Sequence, residues 1–204
     1  QTKVFSTNII FVEPYSDWRK GRDLMKVQFG PSFIELVQGD ITHQQVDAIV
    51  NAANSELEVG GGVDGAIHRK AGDSVHEETK ARYPLGCPTG DAVVSSAGQL
   101  SAKYIFHAVG PIWRGGRNSE PGQLRSAYRR CLELAVSNQC HSLAFPAIST
   151  GICGFPVDLA AEVSLGETRS FLLSLAETAL TVRFVLFDAG TYAAFARVLD
   201  GYAD

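Results

Sequence analysis

The chain has 204 residues, of which 45% are apolar and 20% are charged, and its formal net charge is -4. This composition is typical of one globular domain with a sizeable core and argues against a disordered chain. No apolar run approaches the ~20 residues of a membrane-spanning helix, and the negative charge argues against broad electrostatic binding of DNA or RNA, so we expect neither a membrane nor a nucleic acid as a partner.

Residues 1–23 are predicted to form an N-terminal extension. They contain Pro14, Gly21 and a mixed cluster of charges between Asp17 and Asp23, a combination from which no helix or strand can be predicted. Residues 24–204 are predicted to form a single domain, over which the extension lies.

Two apolar-rich runs open this domain. Residues 24–29 and 33–37 flank a Gly-Pro-Ser turn, a pattern that predicts a β-hairpin at the start of the sheet. Asp40 follows the second run, and on spacing alone it is interpreted as the cap of the next helical turn.

A glycine-rich segment follows the next apolar run. Residues 46–50 suit a short buried strand and residues 63–71 suit a helix, so residues 60–62, all glycine, are predicted to lie in a strand-to-helix loop. Glycines let backbone N–H groups approach a phosphate, and the helix N-terminus adds partial positive charge. An ordinary connecting loop is the alternative. Asp64, taken alone, is interpreted as a partner of the helix dipole.

The rest of the chain alternates helices with strands. Helices are predicted at 73–83, 123–138 and 156–179 and through Leu199, and strands at 91–96, 104–109, 142–148 and 182–187. Strands that alternate with helices after a hairpin predict an α/β fold, with a mixed sheet and helices on both of its faces.

Residues 149–155 form a second glycine loop between a strand and a helix. Two such loops predict a cleft at one edge of the sheet, where ligands bind in α/β folds. His107, among apolar neighbours, is interpreted as a core or hydrogen-bonded histidine rather than a catalytic one. Arg114, Arg117 and Arg125 are interpreted as solvated surface, with contact to a phosphate or an acidic partner as the alternative.

Six ordered segments carry a resemblance to a known family. They are QGDIT, NAAN, GGGVDGAIH, PTGDAVVSSAG, HAVGPIW and FPAISTGICGFP. Together they resemble the macrodomain family, most closely its MacroD-type ADP-ribosyl hydrolases, over about Gln38 to Leu199. The resemblance implies a three-layer α/β/α macrodomain sandwich with a mixed central sheet preceded by an N-terminal hairpin, in agreement with the pattern of strands and helices.

The resemblance also implies a ligand, ADP-ribose. Asp40 would accept a hydrogen bond from the adenine amino group, Phe187 would stack on the base, and both glycine loops would hold the diphosphate. The ligand-binding residues that it implies are Asp40, Ile41, Asn51, Gly61, Gly62, Val63, Ser149, Thr150, Gly151, Ile152, Cys153, Gly154, Phe155 and Phe187.

The reaction implied is removal of ADP-ribose from acidic side chains of mono-ADP-ribosylated proteins, with O-acetyl-ADP-ribose as a second substrate. Asp64 would activate a water or stabilise positive charge on the ribose, and Asn54 would fix the ribose hydroxyls. His68, four residues after Asp64, would support it. No metal or cofactor is expected.

Two departures from the family pattern keep other functions open. Val59 stands where the first of four glycines is common, and Cys153 stands where an aromatic residue usually faces the far ribose. Loosened ribose placement would favour a reader module that binds ADP-ribose without hydrolysing it. Removal of phosphate from ADP-ribose 1-phosphate is a further alternative.

The four cysteines are widely separated, without the spacing of a zinc site or a redox pair. Reduced thiols are therefore expected, and Cys153 lacks a neighbouring base that would make it a nucleophile. The first residues also lack the basic start and apolar core of a secretory signal. We expect an intracellular monomer, cytoplasmic or nuclear, with an organelle matrix as the alternative.

Overall fold

A mixed seven-stranded sheet organises the residues that the computed structural model describes, 24–175 and 177–202. The predicted N-terminal extension, residues 1–23, lies outside the described residues. The strands are β1 (Leu24–Phe29), β2 (Ser32–Gln38), β3 (Ala48–Ala53), β4 (Ala92–Ser96), β5 (Tyr104–Val109), β6 (Ser142–Phe145) and β7 (Thr181–Leu186). The helices are α1 (Gly62–Ala71), α2 (Asp73–Arg82), α3 (Glu120–Ser137), α4 (Val157–Ser174) and α5 (Ala189–Asp200).

The strand order is β1-β2-β7-β6-β3-β5-β4. Strands β2, β7, β6, β3 and β5 run parallel, whereas the edge strands β1 and β4 are antiparallel to their neighbours. The predicted hairpin is therefore present as β1 and β2. Because the five central strands are parallel, their carboxyl ends all meet at one edge of the sheet.

Alternation along the strands divides the core into two layers. In β3, Val50 faces the layer that contains Tyr128 of α3 and Phe195 of α5, whereas Ile49 faces the layer that contains Ile67 of α1. Side chains that alternate in a fully buried strand must meet a helix on each side. The α/β/α sandwich predicted from the sequence is therefore confirmed. Among the described residues, no helix is long and apolar enough to cross a bilayer.

Several predicted boundaries were wrong. The apolar run predicted a strand that ends at Val50, yet β3 continues to Ala53 because its last residues pair with β5. Strand β6 ends at Phe145 because Pro146 cannot donate to a neighbouring strand. Helix α4 ends at Ser174 rather than near 179, since the chain must still reach the start of β7.

The hydroxyl of Tyr128 fixes the chain between β6 and the second glycine loop. The side chain is fully buried, and its hydroxyl donates to the Pro146 carbonyl at 3.1 Å and accepts from the Ile148 N–H at 3.0 Å. The tyrosine thus satisfies two backbone groups that the sheet leaves unpaired.

Replacing Tyr128 by Phe should lower the free energy of unfolding by about 1–3 kcal/mol, because it leaves a buried carbonyl and a buried N–H without partners. Urea denaturation monitored by circular dichroism measures the change. Tyr104→Phe, at a half-buried strand position, is the matched control. Equal stability of Tyr128→Phe and the native protein would contradict this role.

Candidate active site

The carboxyl ends of the parallel strands bring the predicted site residues to one edge of the sheet. Asp40 follows β2, Phe187 follows β7, Ser149 follows β6, Asn54 follows β3 and Gly110 follows β5. The spatial order of these strands is the same order, from β2 to β5. Segments far apart in the sequence therefore form one continuous row.

A cleft of about 390 Å³ opens in the central part of this row. The predicted residues that line it are Asn54, Gly61, Gly62, Val63, Asp64, Ser149, Gly151, Ile152 and Cys153. Residues outside the predicted catalytic and ligand-binding sets also line it: Ala52, Ala53, Ser55, Gly60, Thr89, Val109, Gly110, Ile112 and Ala147. Most of this second set lies within the segments that carry the family resemblance. The resemblance was therefore the sequence signal that could have identified these residues.

Asp64 presents a carboxylate of fixed orientation to the cleft. It is only 4% exposed, in the first turn of α1. Its Oδ1 accepts from the Asn51 side-chain amide at 2.6 Å, and its Oδ2 accepts from the Gly60 N–H at 2.5 Å. Each oxygen retains a lone pair, so the carboxylate can still accept a proton or a hydrogen bond from a ligand.

A buried chain of hydrogen bonds continues from Asp64 across the sheet. The Asn51 amide nitrogen also lies 3.2 Å from Nδ1 of His107, whose Nε2 lies 2.8 Å from the Ser95 hydroxyl. Burial lowers the pKa of His107 to about 3, so its ring is neutral. Because the Asn51 amide donates to both neighbours, Nδ1 accepts and Nε2 carries the proton.

Asn51 therefore holds Asp64 rather than lining the cleft. It is fully buried in β3 and does not line the cleft. Its direct contact with the ligand stays a prediction. His68 is placed as predicted, with Nε2 at 3.6 Å from Asp64 Oδ1. Burial lowers the pKa of His68, although the charge of Asp64 opposes this shift.

The glycines of the first loop have separate physical roles. A side chain at Gly60 would crowd the Asp64 carboxylate, which needs the Gly60 N–H. Gly62 has a φ of 60°, a conformation that favours glycine. Helix α1 begins here without a side-chain cap, so its first N–H groups remain available to an anion.

The second loop adds a buried hydroxyl. Ser149 lines the cleft, has a φ of 67° and is 8% exposed, and its buried hydroxyl has no hydrogen-bond partner among the described residues. Gly110 lies next to the Ser149 side chain. Only glycine fits at position 110, because a Cβ there would collide with the Ser149 hydroxyl. The loop is closed by a hydrogen bond from the Phe155 N–H to the Ser149 carbonyl at 3.0 Å.

Asn54 already uses part of its hydrogen-bonding capacity. Its amide nitrogen donates to the Glu58 carbonyl at 2.6 Å, and its carbonyl oxygen accepts from the Glu58 N–H at 3.1 Å. One N–H and one lone pair remain, so Asn54 can still meet a polar ligand group.

Asp40 and Phe187 lie beyond the cleft at the β2 and β7 strand ends. The Gly39 N–H donates to the Leu186 carbonyl at 2.9 Å, which places the two residues on adjacent strands. Asp40 Oδ1 accepts from the Thr42 N–H and hydroxyl, each at 2.8 Å. Burial raises the pKa of Asp40, but the hydrogen bonds from Thr42 outweigh this effect, and the pKa is lowered overall. Oδ2 of Asp40 takes part in neither bond. Phe187 is 82% exposed.

The two departures from the family pattern differ in position. Val59 is half exposed and does not line the cleft. Cys153 lines it, and burial raises the pKa of its thiol, which disfavours a nucleophilic thiolate. Phe155, predicted to bind the ligand, packs in the core against Trp113, with ring centroids 4.7 Å apart.

The remaining predicted residues lie away from the cleft lining. Ile41 is buried in the core layer of α1. Thr150 donates its hydroxyl to the Ala147 carbonyl at 2.9 Å, and Gly154 has a φ of 66°. Neither Ile41, Thr150 nor Gly154 lines the cleft. Among the described residues, no cluster of His, Cys, Asp and Glu could hold a metal ion.

Comparison with known proteins gives consistent results. The Macro domain family matches residues 50–164. The O-acetyl-ADP-ribose deacetylase of Salmonella typhimurium is 49% identical over 175 residues, which cover 85% of this chain and 97% of that protein.

Solved structures show the same fold. The Oceanobacillus iheyensis macrodomain with ADP is 35% identical, with a TM-score of 0.84 over 89% of this chain and 97% of that one. The Trypanosoma brucei macrodomain in complex with ADP-ribose is 40% identical, with a TM-score of 0.75 over 81% of this chain and 68% of that one. The Oceanobacillus protein has also been solved with an asparagine, a glycine and an aspartate replaced singly, at the sequence spacing of Asn54, Gly61 and Asp64.

The buried neutral His107 predicts a loss of stability in mild acid. An unfolded histidine binds a proton below about pH 6.5, whereas folded His107 does so only near pH 3, so protons favour the unfolded state between these values. This residue should cost about 2 kcal/mol of unfolding free energy between pH 7 and pH 5, and His68 adds to the loss in the same direction.

Urea denaturation at the two pH values measures the loss in the native protein and in His107→Gln. The glutamine amide can accept from Asn51 and donate to Ser95 but does not titrate in this range. We expect a smaller pH-dependent loss in the variant. The same loss in both proteins would show that His107 is not the buried neutral group described here.

Proposed function

This chain belongs to the macrodomain family, and we propose that it is a hydrolase that removes ADP-ribose from acidic side chains of mono-ADP-ribosylated proteins and also deacylates O-acetyl-ADP-ribose. The observation that carries the proposal is the position of the Asp64 carboxylate. It is buried, held by two hydrogen bonds, and turned to a cleft lined by backbone donors.

The row of strand ends supports one direction of binding for ADP-ribose. Adenine lies at the β2 and β7 ends, where Asp40 Oδ2 accepts from its amino group and Phe187 stacks on the ring. The diphosphate lies at the α1 N-terminus, where Gly62 and Val63 and the second loop supply N–H donors. The far ribose then reaches Asn54 and Asp64. Dense backbone donors explain how a chain of net charge -4 holds a dianion.

The chemistry assigned to Asp64 is the activation of water. In an ADP-ribosylated glutamate the bond to be cut joins ribose C1 to a carboxylate oxygen, and the departing carboxylate needs no proton. A water that gives its proton to Asp64 forms a new bond to C1 as the old bond breaks. The alternative role of Asp64 is to remain charged and stabilise the positive charge that grows on the ribose ring.

The surrounding residues orient this step. Asn54 uses its free N–H and lone pair to fix the ribose hydroxyls. Asn51 and His68 act through Asp64 and keep its oxygens aimed at the cleft. The spacing shared with the residues replaced in the Oceanobacillus macrodomain supports a joint role for Asn54, Gly61 and Asp64.

One observation favours a second function, a module that binds ADP-ribose without hydrolysing it. Cys153 lines the cleft where an aromatic wall is usual in the family, and Phe155 packs in the core, so neither supplies a flat surface to the ribose. A displaced ribose would slow the reaction about 10²-fold while leaving adenine and diphosphate bound.

Replacing Asp64 by Asn should lower the rate of ADP-ribose release from a glutamate-linked substrate by about 10²–10⁴-fold, because the amide cannot act as a base. Affinity for ADP-ribose should fall much less than the rate, since the contacts proposed for adenine and diphosphate do not involve the Asp64 side chain. Single-turnover release and calorimetric titration measure the two quantities.

Equal release by Asp64→Asn and the native protein would exclude Asp64 as the base. Tight binding of ADP-ribose without release by the native protein would favour the reader module instead.

Replacing Phe187 by Ala should weaken ADP-ribose binding by about 10-fold, because an aromatic side chain contributes roughly 1–3 kcal/mol when it stacks on a base. Calorimetry measures the dissociation constant. Leu173→Ala, another exposed apolar side chain, near the far end of α4, is the matched control. Unchanged affinity in Phe187→Ala would place the adenine elsewhere.

A further inference from the structure

The loop that carries Asn54 contacts helix α2 mainly through Glu58. Both backbone groups of Glu58 bond to the Asn54 carboxamide, at 2.6 Å and 3.1 Å. The position of the Asn54 amide is therefore set by the position of the Glu58 main chain. This main chain lies outside the strands and helices, so it needs other contacts to stay in place.

The Glu58 side chain supplies those contacts. Its Oε1 accepts from Lys80 Nζ at 2.6 Å, and its Oε2 lies 3.6 Å from His76 Nε2. Lys80 also donates to the Glu56 carbonyl at 3.3 Å. The hydrogen bond and charge of Lys80 lower the pKa of Glu58, which keeps the carboxylate charged. Lys80 and His76, both on α2, thus contact the same carboxylate, that of Glu58.

The same helix reaches the second half of the site. The His76 ring packs edge-on against the His68 ring, with centroids 6.0 Å apart and an interplanar angle of 81°. His68 in turn lies 3.6 Å from Asp64. Helix α2 therefore contacts Glu58, which holds Asn54, and His68, which lies beside Asp64. None of the residues of α2 lines the cleft.

We propose that Lys80, with His76, is a positioning residue that clamps Glu58 and thereby holds the Asn54 carboxamide in the geometry that the ribose requires. This inference rests on the proposed function for its effect on rate. The clamp itself is a property of the free protein, so it can be tested without any reaction.

A competing explanation is that Leu57 alone fixes the loop. Leu57 is buried, with a φ of 57°, and its N–H donates to the Asn54 carbonyl at 3.0 Å. These contacts hold the backbone at Leu57 and Asn54 but not the Glu58 carboxylate. If Leu57 is sufficient, removal of Lys80 has no effect on the Asn54 side chain.

The experiment compares Lys80→Met, Lys80→Arg, Glu58→Gln and the double variant that combines Lys80→Met with Glu58→Gln. Lys80→Arg keeps the charge and the donor. Arg82→Met is the matched control, because Arg82 lies on α2 and forms its own ion pair, with Glu78 at 2.8 Å, away from the loop. The readouts are hydrogen exchange of the Asn54 side-chain amide by NMR, and kcat and KM for release from the glutamate-linked substrate.

The proposal predicts faster Asn54 amide exchange in Lys80→Met and Glu58→Gln, and a fall in kcat of about two- to five-fold with a smaller change in KM, the size expected for a partly exposed charge network. The loss in the double variant should be smaller than the product of the two single losses, because both substitutions remove the Lys80–Glu58 ion pair. Lys80→Arg and Arg82→Met should resemble the native protein.

Unchanged Asn54 exchange in Lys80→Met would overturn the clamp, as would losses that multiply in the double variant. Equal impairment by Lys80→Arg and Lys80→Met would also overturn it. A native protein that releases no ADP-ribose, with faster Asn54 exchange in the two variants, would refute the hydrolase proposal but support the clamp.

Discussion

The hydrogen bond from the Asn51 amide to the Asp64 carboxylate is the constraint on which the rest of the site depends. A carboxylate that is 4% exposed is costly unless donors meet it, and here one donor comes from a buried strand and the other from Gly60. Asn51 is itself oriented by the neutral His107 ring. The core of the sheet therefore fixes the direction in which Asp64 faces the cleft.

The layout of the ligand site follows from strand order. Parallel strands place their carboxyl ends on one edge of the sheet. In the order β2, β7, β6, β3, the proposed site for adenine comes first, that for the diphosphate next and that for the far ribose last. The chain visits these strands in a different sequence, so each part of the site comes from a separate segment. Loops held by a rigid sheet can bind without large rearrangement, which limits the entropy lost on binding.

The fold could be predicted from the sequence because alternation of strands and helices and the hairpin turn are local signals. The role of Asn51 could not. A polar residue after an apolar run indicated a loop, whereas pairing with β5 keeps it in a buried strand and turns it toward Asp64. Contacts between Glu58 and α2 were also beyond sequence reasoning, because they depend on side chains more than a dozen residues apart. The packing of Phe155 in the core could not be predicted either, because an aromatic residue beside a glycine loop suits either a ligand or the core.

A crystal structure of the protein soaked with ADP-ribose tests the central claim most directly. The account predicts that the anomeric carbon of the far ribose lies one water molecule away from the Asp64 carboxylate, with the Asn51 hydrogen bond intact and the diphosphate over the start of α1. A nucleotide bound outside this cleft, or a ribose whose anomeric carbon faces away from Asp64, would contradict it.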